Sequence, residues 1–222
     1  MKNRSVYAVL TGDIVGSSKW SRDQRKQYLD VLNTTLKEID RSTDSSFPHL
    51  VYRGDSFQGL LRRPEQSLKE AILIRAALRS RSDTKKAGLD ARIAIGIGTV
   101  EYLPKGRNIG EGDGEAFRNS GFELDRLKKE KMNLNVKTPW PDINEELKTE
   151  CSLLDAIIKR WTKEQAEAMV YFLKGLNQEQ IADQLHIAQP SINQRLQTAG
   201  YIGIQNFIDR FEKIILEKVG AG

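Results

Sequence analysis

Apolar positions along this chain change period near its middle. Residues 5–13 contain the unbroken run Val6-Tyr7-Ala8-Val9-Leu10 and end in Gly12-Asp13, the pattern of a short buried strand. From Ser21 the period becomes helical. Ser21 and Gln24 have capping-box form, and Tyr28, Leu29, Leu32, Leu36 and Ile39 share one face to about Arg41. Residues 42–48 are polar and turn-forming. Residues 50–53 and 56–61 read as short strands around Gly54-Asp55, a hairpin. Pro64 opens a second helix with Leu68, Ile72, Ala76 and Leu78 on its apolar face. In residues 89–98, Ile93, Ile95 and Ile97 alternate with small residues, as in a strand packed on helices. Beyond the glycine-rich stretch 110–114, residues 115–131 are helical, and 133–138 form a last strand.

The order strand, helix, hairpin, helix, strand, helix, strand predicts an α+β sandwich with its helices on one face. Pro139-Trp140-Pro141 breaks the pattern, which divides the chain into residues 1–139 and 140–222. Only helical periodicity follows, in four or five segments. Met169, Phe172, Phe207, Ile208 and Phe211 fall there as core or dimer contacts.

A chain of 222 residues accommodates two such domains. No apolar run approaches the roughly 20 residues that cross a bilayer, and the start is not a signal peptide, so a membrane partner is not expected. A single cysteine, Cys151, excludes an internal disulfide framework and fits the cytoplasm. Charge changes the picture more. Residues 1–140 carry 26 Lys and Arg against 18 Asp and Glu; residues 141–222 carry 9 against 12. The basic first half suits polyphosphate or supplies the DNA contacts that the mildly acidic second half lacks, and charge alone does not choose between them.

Two aspartates carry the candidate chemistry. Asp13 lies in Thr11-Gly12-Asp13-Ile14-Val15-Gly16-Ser17-Ser18, and Asp55 in Arg53-Gly54-Asp55-Ser56-Phe57. Two carboxylates at one sheet edge hold Mg²⁺, and Mg²⁺ holds a nucleotide triphosphate. Gly16, Ser17 and Ser18 let backbone amides approach phosphate oxygens, Lys19 neutralises a terminal phosphate, and Gly54 shapes the hairpin turn. Each motif taken alone is an ordinary solvated turn. The acidic loop residues Glu111 and Asp113, and the isolated His49 and His186, form no recognisable metal set.

In residues 4–138 the chain resembles the class III nucleotidyl cyclases and, more distantly, the GGDEF diguanylate cyclases. The aspartate segments are similar to the two metal-aspartate segments of those families. Ala91-Arg92-Ile93-Ala94-Ile95-Gly96-Ile97-Gly98 is similar to their Arg-Ile-Gly-Ile-His-Thr-Gly strand, and Gly114-Glu115-Ala116-Phe117 falls at their Gly-Asp-Ala-Val. As a whole the chain looks like the SatD family. The cyclase resemblance implies a ferredoxin-like (nucleotidyl-cyclase-like) fold, Mg²⁺ on Asp13 and Asp55, and a homodimer. Three departures speak against turnover. Arg118 and Phe122 stand where cyclases place the asparagine and arginine that steady the transition state, and Val51 stands at the purine-reading lysine. Arg118, or Asn119, is the available substitute donor.

In the second half, residues 177–185 make a short helix with Ile181, Ala182 and Leu185 inward, His186-Ile187-Ala188 turns, and residues 189–197 make a second helix. That spacing resembles the helix-turn-helix of sigma-factor region four. Gln189, Ser191, Asn193, Gln194 and Arg195 form a polar face suited to DNA bases and phosphates. His186 sits where glycine is usual, although histidine tolerates positive φ better than most residues. The expectation is a nucleotide-responsive, DNA-binding regulator with a catalytically degenerate cyclase-like domain. Its rivals are an active nucleotidyl cyclase and a protein-interaction module.

Overall fold

The structure is a computed structural model that describes residues 5–42, 47–52, 54–81, 88–103 and 109–220. Five strands form one sheet: β1 (Val6–Ile14), β2 (Leu50–Tyr52), β3 (Ser56–Leu61), β4 (Ala91–Thr99) and β5 (Leu134–Lys137), in the order β2-β3-β1-β4-β5. Neighbours are antiparallel except β4 and β5, which run parallel. Helix α3 (Glu115–Glu130) makes the crossover that a parallel pair requires. Arg53 and most of the polar turn after α1 (Arg22–Ser42) lie outside the described residues.

Helices cover both faces of the sheet, not one. α1 and α2 (Ser67–Ser80) pack on the face presenting Ala8, Leu10, Ile14, Ile93, Ile95 and Ile97. α3 packs on the other, where Val9 meets Ala116 and Phe117, and Ala94 meets Leu124 and Leu127. The unbroken apolar run of β1 carried this signal, because a strand buried on both sides shows no alternation. Gly96 permits the close seating of α3. A Cβ there would overlap the Ala116 carbonyl oxygen and the Ser120 amide nitrogen.

The second half holds α4 (Pro141–Lys159), α5 (Lys163–Leu173), α6 (Gln178–Leu185), α7 (Gln189–Ala199) and α8 (Tyr201–Gly220). Pro141 starts α4 in its first turn, where a missing amide hydrogen costs nothing. The core runs without interruption across the Pro139-Trp140-Pro141 break. Ile143, Leu147, Cys151, Leu154 and Ile158 of α4 join the cluster built on the sheet. Burial pushes the Cys151 thiol up, so it is an inert apolar filler and not a nucleophile. Met169, Ile208 and Phe211 are buried as well, while Phe172 and Phe207 are half-buried against the same core. Among the described residues, no helix is long and apolar enough to cross a membrane.

Ion pairs reinforce the junction. Arg75 of α2 is fully buried and donates to both Asp90 oxygens, at 2.9 and 2.7 Å. Its remaining nitrogen, Nη1, lies 2.9 Å from Asp155 Oδ1 of α4, a buried ion pair. Arg79 donates to the carbonyls of Lys159 at 3.0 Å and Trp161 at 2.8 Å. The Trp161 indole donates to the Ala199 carbonyl at 2.9 Å, which ties the end of α7 into this corner.

Candidate functional site

β1 delivers Asp13 opposite Ser56 of β3 and Arg92 of β4. The register brings the two aspartate segments together at one end of the sheet. The Ile14 amide donates to the Asp55 carbonyl at 3.2 Å, and the Ser17 hydroxyl donates to the Asp55 carboxylate. Gly54 (φ +84°) makes the hairpin turn and Gly16 (φ +80°) makes the exit from β1, both in the left-handed region that glycine enters freely. A single 3₁₀ turn, Ser17–Lys19, follows, with Ser18 and Lys19 exposed. The amino end of α1 is separate from this turn and satisfies itself. The Ser21 amide donates to Gln24 Oε1 at 3.0 Å and the Gln24 amide to Ser21 Oγ at 3.3 Å.

Asp13 already has counter-charges on both oxygens. Arg92 Nη1 donates to Oδ1 at 2.9 Å, and Lys128 Nζ of α3 lies 3.2 Å from Oδ2. Beneath it, on the same face, the Thr11 and Ser120 hydroxyls lie 2.8 Å apart and Gln58 Nε2 donates to Thr11 at 3.2 Å. A Mg²⁺ shared with Asp55 needs oxygens at about 2.1 Å. As arranged, it would stand beside a guanidinium and an ammonium, and the donor set does not fit it. Among the described residues, no group of three or more His, Cys, Asp or Glu side chains is placed to hold a metal. Arg92 and Lys128 were not singled out from the sequence. Arg92 was detectable as a cross-strand partner once register was known; Lys128 looks like any solvated lysine late in a helix.

Arg118 is not brought to this group. It sits in the first turn of α3, ten residues or about 15 Å along the helix from Lys128, paired with Glu101 at 2.8 Å and Asp113 at 3.0 Å. Asn119 donates to the Ile97 carbonyl at 2.9 Å, fastening α3 to β4. Phe122 is 75% exposed, and Val51 is half-buried.

α6 and α7 form a compact pair. Asn177 caps α6 reciprocally with Gln180, at 2.9 and 3.0 Å. His186 ends α6 at φ 53°, ψ 43°, and Ile187 and Ala188 complete the turn into α7. Ile181, Ile192 and Leu196 are fully buried between the helices and α5. Gln189, Ser191, Asn193 and Gln194 are exposed. Gln189 Nε2 donates to Gln178 at 2.6 Å, and Gln178 Nε2 donates to Asn193 at 3.3 Å, a chain of amides across the start of α7. Arg195 is half-buried, 3.7 Å from Glu167 of α5.

No family model and no curated protein matches this sequence. Among solved structures, the chain is similar to a dimeric guanylyl cyclase domain of the RhoGC fusion protein from the aquatic fungus Blastocladiella emersonii. Identity is 15%, over 55% of this chain and 74% of that one, with a TM-score of 0.45. It is also similar to the GGDEF domain of DgcB from Caulobacter crescentus in complex with c-di-GMP, at 14% identity over 60% and 77% of the two chains, TM-score 0.45. A third neighbour is an adenylate/guanylate cyclase/hydrolase from Silicibacter pomeroyi, at 22% identity over 55% and 70%, TM-score 0.42.

Proposed function

We propose that this protein is a DNA-binding regulator in which α6 and α7 act as a helix-turn-helix and the α+β half is a cyclase-like domain without cyclase chemistry. One observation carries the reading: the start of α7 presents Gln189, Ser191, Asn193 and Gln194 to solvent, on a helix pair anchored by buried Ile181, Ile192 and Leu196. Asn and Gln read adenine through its N6 and N7 atoms in the major groove. The amide chain through Gln178 holds two of these side chains in place before any duplex arrives. Because Arg195 is the face's one cation and is partnered by Glu167, phosphate contacts are few, and affinity should depend only weakly on salt. Operator recognition by paired units favours a homodimer.

Selection from a pool of random duplexes, followed by anisotropy titration, tests this. A defined sequence should be enriched, and Asn193→Ala should weaken it by about 1–3 kcal/mol while leaving random duplex unaffected. An unenriched pool would refute the proposal.

A second reading is a nucleotide at the sheet end. The Ser17 bond to Asp55 favours it by holding the exposed Ser18 and Lys19 beside the hairpin turn. The cations on Asp13 oppose a shared Mg²⁺, so triphosphate binding here should persist in chelator. Binding that requires Mg²⁺ and disappears in Asp13→Ala would restore the metal-centred version. The catalytic alternative draws no support from the geometry, since Arg118 is bound to Glu101 and Asp113 at the far end of α3.

A further inference from the structure

Where α2 meets α5, a cleft of about 400 Å³ opens between the two halves of the molecule, within the size range of small-molecule sites. Its floor is apolar, Leu73 of α2 and Leu173 of α5, both buried. Its walls are cationic and come from both halves: Arg63 and Lys69 on one side, Lys174 on the other. Lys69 and Lys174 are exposed and make no ion pair among the described residues. Arg63 is already engaged: Nε donates to Glu65 at 2.9 Å, and its two terminal nitrogens lie 2.9 and 3.1 Å from the Gln66 side-chain amide.

One carboxyl lines the cleft, Glu70, whose side chain is buried. Burial holds it above the usual carboxylate range; His49 at 3.4 Å opposes the rise and Asp40 adds to it. A smaller cavity of about 200 Å³ adjoins, sharing Leu73 and Lys174 and reaching Arg81. The cations at the sheet end are consumed by Asp13, whereas two of those here are unspent and face a hollow of ligand size.

We propose that this cleft binds a small molecule carrying two or more phosphate groups and an apolar body, with Lys69, Lys174 and Arg63 taking the phosphates and Leu73 and Leu173 taking the body. Lys69 and Lys174, converging from two elements, meet a polyanion at little cost, because neither has an ion pair to break among the described residues. Such a ligand bridges α2 to α5, and α5 also packs against α7. Only its consequence for α7 rests on the DNA-reading proposal; the site itself does not.

The test uses the full chain without DNA. Inorganic tripolyphosphate and ATP, each in excess chelator, are titrated while thermal unfolding and calorimetric binding are followed. Both should raise the melting temperature with concentration, ATP more than tripolyphosphate because of its base. Lys69→Glu and Lys174→Glu are surface changes that leave the core intact. Each should weaken binding about tenfold or more, and Asp13→Ala should leave it unchanged. Three outcomes would overturn the proposal: no stabilisation by either probe at millimolar concentration, stabilisation that survives in the Lys69→Glu/Lys174→Glu double variant, or binding lost in Asp13→Ala alone. If the lysine variants instead lose affinity for duplex DNA while probe binding is unchanged, the cleft is a phosphate-backbone contact and the proposal fails.

Discussion

Two ionic clusters flank the start of β4, on opposite faces of the sheet, and they are built differently. In one, Arg75 is shared between Asp90 and Asp155 with no exposure at all. In the other, Asp13 is shared between Arg92 and Lys128, and the lysine side chain is 47% exposed. The first centres on one buried cation that two acids share, the second on one acid that two cations share. Burial decides what each can do. A charge with no access to water must keep its partners, so the Arg75 cluster fixes how α2, β4 and α4 meet. An acid with one wall of flexible lysine keeps its fold when that wall changes, so its role can be altered without dismantling the protein.

The sharpest way to break the contrast is Arg75→Met. It strands Asp90 beside the remaining Arg79 and leaves Asp155, among the described residues, with Lys159 at 2.7 Å as its ionic partner. The expected loss is about 3–5 kcal/mol, read as a lower midpoint in urea unfolding. A loss under about 1 kcal/mol would mean that the junction is held by its apolar packing alone.

Acid titration probes the same cluster from the other side. Burial alone would raise Asp90, but Arg75, Arg79 and the Ala91 amide outweigh it and hold the carboxyl below its ordinary value. A carboxyl depressed in the folded state stabilises the fold above the unfolded pKa of about 3.9, and that contribution disappears as pH falls through the folded value. Stability should therefore fall with acidification below about pH 4, and Asp90→Asn should flatten that slope whatever it does at neutral pH. An unchanged slope in Asp90→Asn would assign the acid sensitivity to other carboxylates.

The sequence made one of these clusters half-visible and hid the other. Asp13 stood out because glycine flanks it at the end of an apolar run, a local signal. Its counter-charges lie 79 and 115 positions away, and only the β1–β4 register and the seating of α3 at Gly96 bring them in. Arg75 gave no sign, since a lone arginine in an amphipathic helix reads as solvent-facing. It is buried because α2 is wedged between the sheet, α1 and α5, so its polar side is covered too. The helical half was more legible because its signals are short-range: the turn at His186 and the Ile181–Ile192 spacing fall within about a dozen residues. The order of elements predicted helices on one face, but element order does not say on which side a crossover helix lands, and α3 covers the second face.

Arg92→Met should cost less than Arg75→Met, about 1–3 kcal/mol, because Lys128 remains to compensate Asp13 and water reaches the site. Equal costs for the two arginines would erase the distinction between a junction lock and an adjustable site.

The smallest expected effect on stability, Lys128→Met, carries the most about function. A half-exposed pair contributes under about 1 kcal/mol after solvent screening, so the variant should unfold almost as the parent does. It also uncovers Asp13 Oδ2 and removes one positive charge from the place where a divalent ion would sit. If Lys128 is what keeps the sheet end free of metal, Lys128→Met should acquire a Mn²⁺ site visible by electron paramagnetic resonance, and Lys128→Met/Asp13→Ala should lose it again. The parent protein should show no Asp13-dependent Mn²⁺ signal. Such a signal in the parent would mean that the lysine yields to the ion, and the sheet end would then be a working metal site with a displaceable cover. No gain in Lys128→Met would place the exclusion on Arg92, whose guanidinium is held by its own strand and by the Met132 carbonyl at 3.3 Å and cannot swing aside as the lysine can.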